Sequence, residues 1–282
     1  MRQYNLNVDY TNRYQPFSFS TLEINGDFLH VFKNFWDVTL TTIIHPVWEK
    51  DYYELRTPGS VFKKVPWAFF GVKGSTDSRK KLFVNYFIGY ANFSPIPDDP
   101  FILLDLGARY RFNAKFNVSL EGERQYDKGN MGWALFDPVT SAPIAGLRAV
   151  TQFSTTLNAV YNFKARMNLN MRVRHYWSKV AYKTFYDVLP SGDWTERPFI
   201  DNQNENFNAF NLDMFFTWDF RLGSRLIIAW KNALGPDASI NGILNNKYGN
   251  NFKEVFNVPH SNEISVKFVY YIDAQKFIKK KG

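Results

Sequence analysis

The chain has 282 residues, no cysteine and a formal net charge of +8. The missing cysteines exclude disulfides, thiolate metal sites and cysteine nucleophiles. Aromatic residues make up 18% of the chain, yet its mean hydropathy is −0.35. That pairing suits a membrane β-barrel, where lipid-facing and lumen-facing residues average out.

No stretch approaches the roughly 18 apolar residues that a membrane-spanning helix needs. The first residues, Met1-Arg2-Gln3-Tyr4-Asn5-Leu6-Asn7-Val8-Asp9-Tyr10, already alternate as a strand does. No secretion leader is visible there, so a barrel reading expects a processed chain or part of a longer one. Strands are predicted at 3–13, 17–31, 34–46, 51–64, 67–77, 82–93, 101–113, 116–126, 152–164, 167–186, 207–220, 224–233 and 262–273.

The alternation recurs along the chain. Ile102, Leu104, Leu106, Ala108 and Tyr110 oppose Asp105, Arg109 and Arg111. Met167, Leu169, Met171 and Val173 oppose Asn168, Asn170, Arg172 and Arg174. Phe210, Leu212, Met214, Phe216, Trp218 and Phe220 form the longest apolar row. Period-two alternation means strands with one apolar face, and it does not say whether that face meets a core or lipid.

Three features favour lipid. Many segments run 11 to 15 residues, against about five or six in soluble sheets and about 9–11 for a tilted membrane strand. Short turns near Thr76–Lys80, Asn113–Lys115, Lys164–Arg166 and Arg221–Ser224 alternate with long loops at Ser94–Pro100, Asp127–Val150, Asp187–Asn206 and Gly235–Ser261. Tyr and Trp gather near segment ends, as at Tyr176–Trp177, Trp218, Trp230 and Tyr270–Tyr271. The predicted fold is an all-β antiparallel transmembrane β-barrel of the outer-membrane type over residues 1–273, followed by a basic tail at 274–282. Such barrels have even strand numbers, so about 14 strands are expected, either complete or as part of a larger barrel.

Several stretches carry a family resemblance. They are Asp51-Tyr52-Tyr53-Glu54-Leu55-Arg56, Arg79-Lys80-Lys81, Asn170 to Val180, Asn206 to Met214, Gly223-Ser224 to Trp230-Lys231-Asn232, and Ser265 to Asp273. Over roughly residues 40 to 273 the chain resembles the C-terminal barrel region of a Bacteroidota outer-membrane family of unknown function. Members often carry a carbohydrate-binding family 9-like sandwich and a signal peptide upstream. The resemblance implies an outer-membrane barrel and supplies no catalytic residues.

His30, His45, His175 and His260 show no metal-ligand spacing, and no nucleophile or phosphate-loop motif appears. No metal, cofactor or catalytic residue is assigned, and no enzyme activity is expected. Asp193 to Asn206 is rich in oxygen ligands but lacks an EF-hand glycine, so it reads as a solvated outer loop. Its Trp194 and Phe199 are candidate outer-loop contacts for a partner protein or carbohydrate. Arg109, Arg111, Glu121, Glu123, Arg172, Arg174, Asp213 and Asp219 are the candidate lumen charges, serving either to guide solutes or as a paired network. The Phe210 to Phe220 row is the candidate lipid face.

The sequence-level function is a non-enzymatic barrel of the bacterial outer membrane. It would act as a channel or as a subunit of an envelope transport or assembly complex. Its partners would be lipid and other envelope proteins. Basic residues are scattered along the chain except at Lys279–Lys281, so nucleic acid is not an expected partner. A barrel hydrolase and a soluble β-sandwich binding module are the alternatives.

Overall fold

The computed structural model describes residues 1–93, 99–201, 203–234 and 247–273. The long strands are β1 (Arg2–Arg13), β2 (Ser18–Val31), β3 (Asp37–His45), β6 (Trp67–Ser75), β7 (Leu82–Phe93), β8 (Phe101–Arg111), β9 (Phe116–Phe136), β10 (Pro143–Lys164), β11 (Met167–Val188), β13 (Glu205–Arg221), β14 (Ser224–Leu234) and β15 (His260–Val269). These twelve follow one another in chain order through a single sheet. Every neighbouring pair is antiparallel. The short β12 (Trp194–Arg197) pairs with β11 off this path, and β4 (Glu49–Asp51) and β5 (Phe62–Lys64) form a separate ribbon. The basic tail at 274–282 lies outside the described residues, as do residues 94–98 and 235–246 of the expected long loops.

Three expectations change. The sheet is open among the described residues: β1 and β15 stand at its two edges and do not pair. Alternation specifies faces and neighbours, whereas closure depends on twist and stagger summed over every strand. Fifteen strands are found among the described residues, close to the 14 expected, and twelve of them form the path. The alternation at 51–64 does not make a sheet strand, because Arg56 (φ 53°) and Gly59 (φ 84°) are left-handed and break the pleat. Asp127–Val150 is not a loop. There β9 and β10 extend to a tight turn, in which Asp137 accepts the N–H groups of Val139 and Thr140, both at 3.0 Å.

The register keeps the faces in phase. A continuous line of paired residues runs Val31–Asp37–Ser75–Asn85–Gly107–Glu121–Thr156–Arg174–Asn211–Ala233–Ser261. The Val31 N–H donates to the Met1 carbonyl at 2.9 Å, which extends the line to the foot of β1. Directly paired residues share a face, so this face carries Asp27, Thr41, Asp105, Glu123, Asn158 and Arg172. The opposite face carries Tyr4, Phe28, Leu40, Val72, Ile88, Leu104, Leu120, Leu157, Met171, Leu212, Ile228 and Val266. The line begins at the first residue of the chain and ends near the start of β15, at the opposite end of the sheet. That is the stagger by which a sheet curls with tilted strands.

Along β7 and β8 the apolar face is the more exposed one, whereas on β11 Arg172 and Arg174 are exposed and Met171 and Val173 partly covered. Along β8, Ile102, Leu104, Leu106 and Tyr110 are exposed, while Leu103, Asp105 and Arg109 between them are partly covered and Gly107 is buried. At the short-turn end, ring contacts run Tyr110–Phe112–Phe116–Tyr161–Phe163–Phe216 across β8 to β13. A second run joins Trp218, Phe220, Phe268 and Tyr270.

Residues 46–66, which contain β4 and β5, form a strap over the polar face at the long-loop end. Ser20 of β2 donates to the Lys50 carbonyl at 3.1 Å. On the far side of the ribbon, the Lys63 N–H donates to the Gly192 carbonyl at 3.0 Å, just beyond β11. In a flat sheet β2 and β11 would stand seven strand steps apart, or roughly 34 Å. A two-stranded ribbon about 5 Å wide links them, so the sheet is curled around its polar face. Leu55, Phe62 and Ala145 are buried together there, with Met131, Tyr186, Val188 and Trp194 packed against them.

Phe62→Ala should therefore cost about 3–5 kcal/mol of strap stability. Hydrogen exchange should report this as faster exchange at 46–66, with the long strands unchanged.

Candidate functional site

The polar face and its strap form the main concentration of polar chemistry. Short turns bring the long strands back to one rim, and the 46–66 connection folds inward from that rim. Its anchor is His45, the last residue of β3. The His45 Nδ1 lies 2.6 Å from Glu49 Oε1 and its Nε2 lies 3.0 Å from Glu23 Oε2. The ring stacks on Trp67 with centroids 4.2 Å apart, and Thr21 also donates to Glu49. Glu49 follows His45 by four residues, a proximity the sequence analysis did not use, and Glu23 is brought in only by strand pairing.

A second anchor is ionic. Lys64 Nζ lies 2.8 Å from Asp51 and 3.3 Å from Glu54, and Glu54 accepts the Trp133 N–H at 2.9 Å. Burial by itself would raise the Asp51 pKa, but hydrogen bonds from Lys64 and from the Tyr53 and Glu54 N–H groups hold it below the ordinary value. Burial likewise opposes the Lys64 charge, and Asp51 and Glu54 more than offset it, so its pKa is raised.

The candidate lumen charges divide into two groups. Arg109, Arg111, Glu121, Glu123, Arg172, Arg174 and Asp213 share the polar face. On the β11–β14 side they are satisfied. Arg174 pairs with Asp213 at 3.1 Å, and Arg172 donates to Asn158 at 2.8 Å. Asp219 lies past a register shift and pairs with Arg225. On the β8–β9 side, Arg109 donates to the Ser78 carbonyl at 2.7 Å. Arg111, Glu121 and Glu123 make no ion pair among the described residues.

The expected loop contacts also divide. Trp194 lies in β12 and packs beneath the strap, with its Nε1–H donating to the Lys63 carbonyl at 3.2 Å. It is a packing residue there, because pairing of β12 with β11 turns it inward. Phe199 is exposed and edges onto Phe185. The Phe210, Leu212, Met214, Phe216 and Trp218 row stays on the apolar face, where Phe210 meets His260 edge-on, and Phe220 stacks on Phe268.

Near the long-loop rim the apolar face becomes polar. Helix α1 (Tyr248–Glu254) docks there. The Tyr248 hydroxyl lies 2.9 Å from His175 Nδ1, and Asn208 Oδ1 lies 2.8 Å from its Nε2. Trp177 donates to Asn206 at 2.6 Å, and Asn206 and Asn208 both donate to Asn251. The sequence alone assigned His175 no role. Its partners were hidden because Tyr248 lies 73 residues away.

Among the described residues, no group of three or more His, Asp or Glu is arranged to hold a metal ion. None of the four histidines contacts a serine or threonine hydroxyl there.

The DUF5916 domain, a domain of unknown function, matches residues 1–281. The chain belongs to that family. No match is found among curated proteins.

The strap's ionic anchor carries a pH signature. The lowered Asp51 pKa contributes stability above pH about 4, which is lost as pH falls through the folded value. The raised Lys64 pKa contributes stability that is lost only as pH rises through its own folded value, above about 10.5. Exchange at 46–66, corrected for intrinsic rates, should therefore be slowest between those limits. Lys64→Met should raise the mid-pH rate toward the acid one.

Proposed function

We propose that the chain is a non-enzymatic β-barrel wall of the bacterial outer membrane. Its polar face would line a strapped lumen, and it would act as a channel or as a subunit of an envelope transport or assembly complex. The observation that carries this reading is the inverted polarity of the curled sheet. Along β8, Leu104 (48%) and Leu106 (56%) are exposed on the outside, while Asp105 and Arg109 on the inner face are partly covered. A soluble protein rarely leaves so long an apolar surface uncovered; lipid requires one.

The dimensions agree. Ile102 to Tyr110 and Phe210 to Trp218 each span nine residues, or eight residue steps, along a strand. That is roughly 27 Å, or about 21 Å across the membrane at the usual strand tilt, against an apolar band of about 25 Å. The aromatic rows at the short-turn end supply an interfacial girdle, and the His175–Asn208–Asn251 network would mark the opposite boundary. Lipid exposure also requires satisfied edges. Because β1 and β15 run in opposite directions, they would join directly or through an even number of strands.

Reconstitution in vesicles followed by a heat-modifiability gel tests the reading. The folded form should migrate differently before and after boiling, and extraction without detergent would overturn the proposal. Leu104→Arg discriminates further. In a bilayer it should cost about 2–4 kcal/mol, whereas at a water-exposed site it would stay within about 0.5 kcal/mol. Replacing Arg172 and Arg174 by Ala should shift ion selectivity toward cations with folding retained, as measured by planar-bilayer reversal potentials.

A further inference from the structure

One carboxylate on the polar face is left incomplete. Asp127 of β9 is only 7% exposed. Its Oδ2 accepts from Asn130 Nδ2 at 2.8 Å, but its buried Oδ1 has no hydrogen-bond partner among the described residues. Buried polar atoms are rarely left this way without an occupant. The same side chain lines a cavity of about 160 Å³ beneath the strap, together with Phe62, Lys64, Trp67, Phe93 and Asn130. One water needs about 10–15 Å³ on that measure, so the cavity has room for about a dozen heavy atoms.

The lining restricts what can enter. An ionised carboxylate only accepts, so the occupant must donate to Asp127. Phe62, Trp67 and Phe93 present apolar ring surface, which favours C–H groups alongside the donor. A cationic occupant would meet the ammonium groups of Lys63 and Lys64, and an anionic one would meet Asp127. Lys64 spends its bonds on Asp51 and Glu54 and keeps one N–H free to donate. The Asn130 Oδ1 is already occupied by Arg148 Nε at 2.6 Å, which holds the amide in the orientation that leaves Asp127 Oδ1 open.

We propose that this cavity binds a small neutral polyhydroxylated ligand, a monosaccharide ring, with Asp127 Oδ1 accepting one hydroxyl and the aromatic side chains covering the ring's C–H surface. The site is distinct from the Phe199 loop and does not depend on whether the opposite face meets lipid.

Saturation-transfer NMR tests it on the detergent-solubilised chain with methyl α-D-glucopyranoside, galactopyranoside and mannopyranoside. At least one should give a saturable signal with a millimolar Kd, the range expected for so small a ligand. Asp127→Ala should weaken it at least ten-fold. Val65→Phe, which fills the cavity and keeps Asp127, should abolish it even if the Asp127 variant does not fold. Phe199→Ala should leave it unchanged. Absence of a saturable signal with all three sugars overturns the proposal, as does a signal that survives Val65→Phe or is lost only with Phe199→Ala.

Discussion

The structure depends on the phase of its strand pairing. Each strand alternates with period two, so a one-residue slip at any ladder would turn all later strands over. The paired line from Val31 to Ser261 crosses the sheet without such a slip. Register shifts occur at Thr11/Asn12, Ile144/Ala145, Leu147/Arg148, Arg148/Val150, Asn162/Lys164 and Trp218/Arg221. They leave the central rows intact. One face is therefore apolar from edge to edge, and along β7 and β8 it is also the more exposed one.

That inversion accounts for the way the rest of the chain is used. A sheet curled around a largely polar face has few apolar contacts inside to hold its curl. The strap supplies them, through a small buried cluster at Leu55, Phe62 and Ala145. It is also anchored by polar contacts: its Glu49 meets His45 of β3, its Glu54 accepts the Trp133 N–H of β9, and Asp51 and Lys64 tie its two strands together. The cavity that Asp127 lines arises from the same arrangement, because β5 crosses the face without filling the space over β9.

The charges on the polar face follow local rules as well as global ones. Arg174 and Asp213 meet because adjacent strands place them side by side, as a pair whose arginine is half exposed. Asp105 and Glu123 are direct cross-strand partners of like sign, an arrangement that is unfavourable without screening. A hydrated interior would tolerate it where a dry core would not. In this respect the β8–β9 wall differs from the β11–β14 wall, whose charges are paired.

Much of this was legible in the sequence, because alternation is a local property. The Phe210 to Trp218 row, the opposing Arg172 and Arg174, and the short turns at Lys164–Arg166 and Arg221–Ser224 follow from neighbouring residues alone. The sequence by itself determined an all-β antiparallel sheet with one apolar and one polar face. Tertiary structure decided what local patterns do not encode. Backbone conformation at Arg56 and Gly59 turned an alternating segment into a strap, and a tight turn at Asp137 turned an expected loop into strand. The partners of His45, His175 and Asp127 come from distant strands or from the strap, so only folding brings them together. Whether the sheet closes depends on stagger accumulated over twelve strands, a sum that no single segment carries.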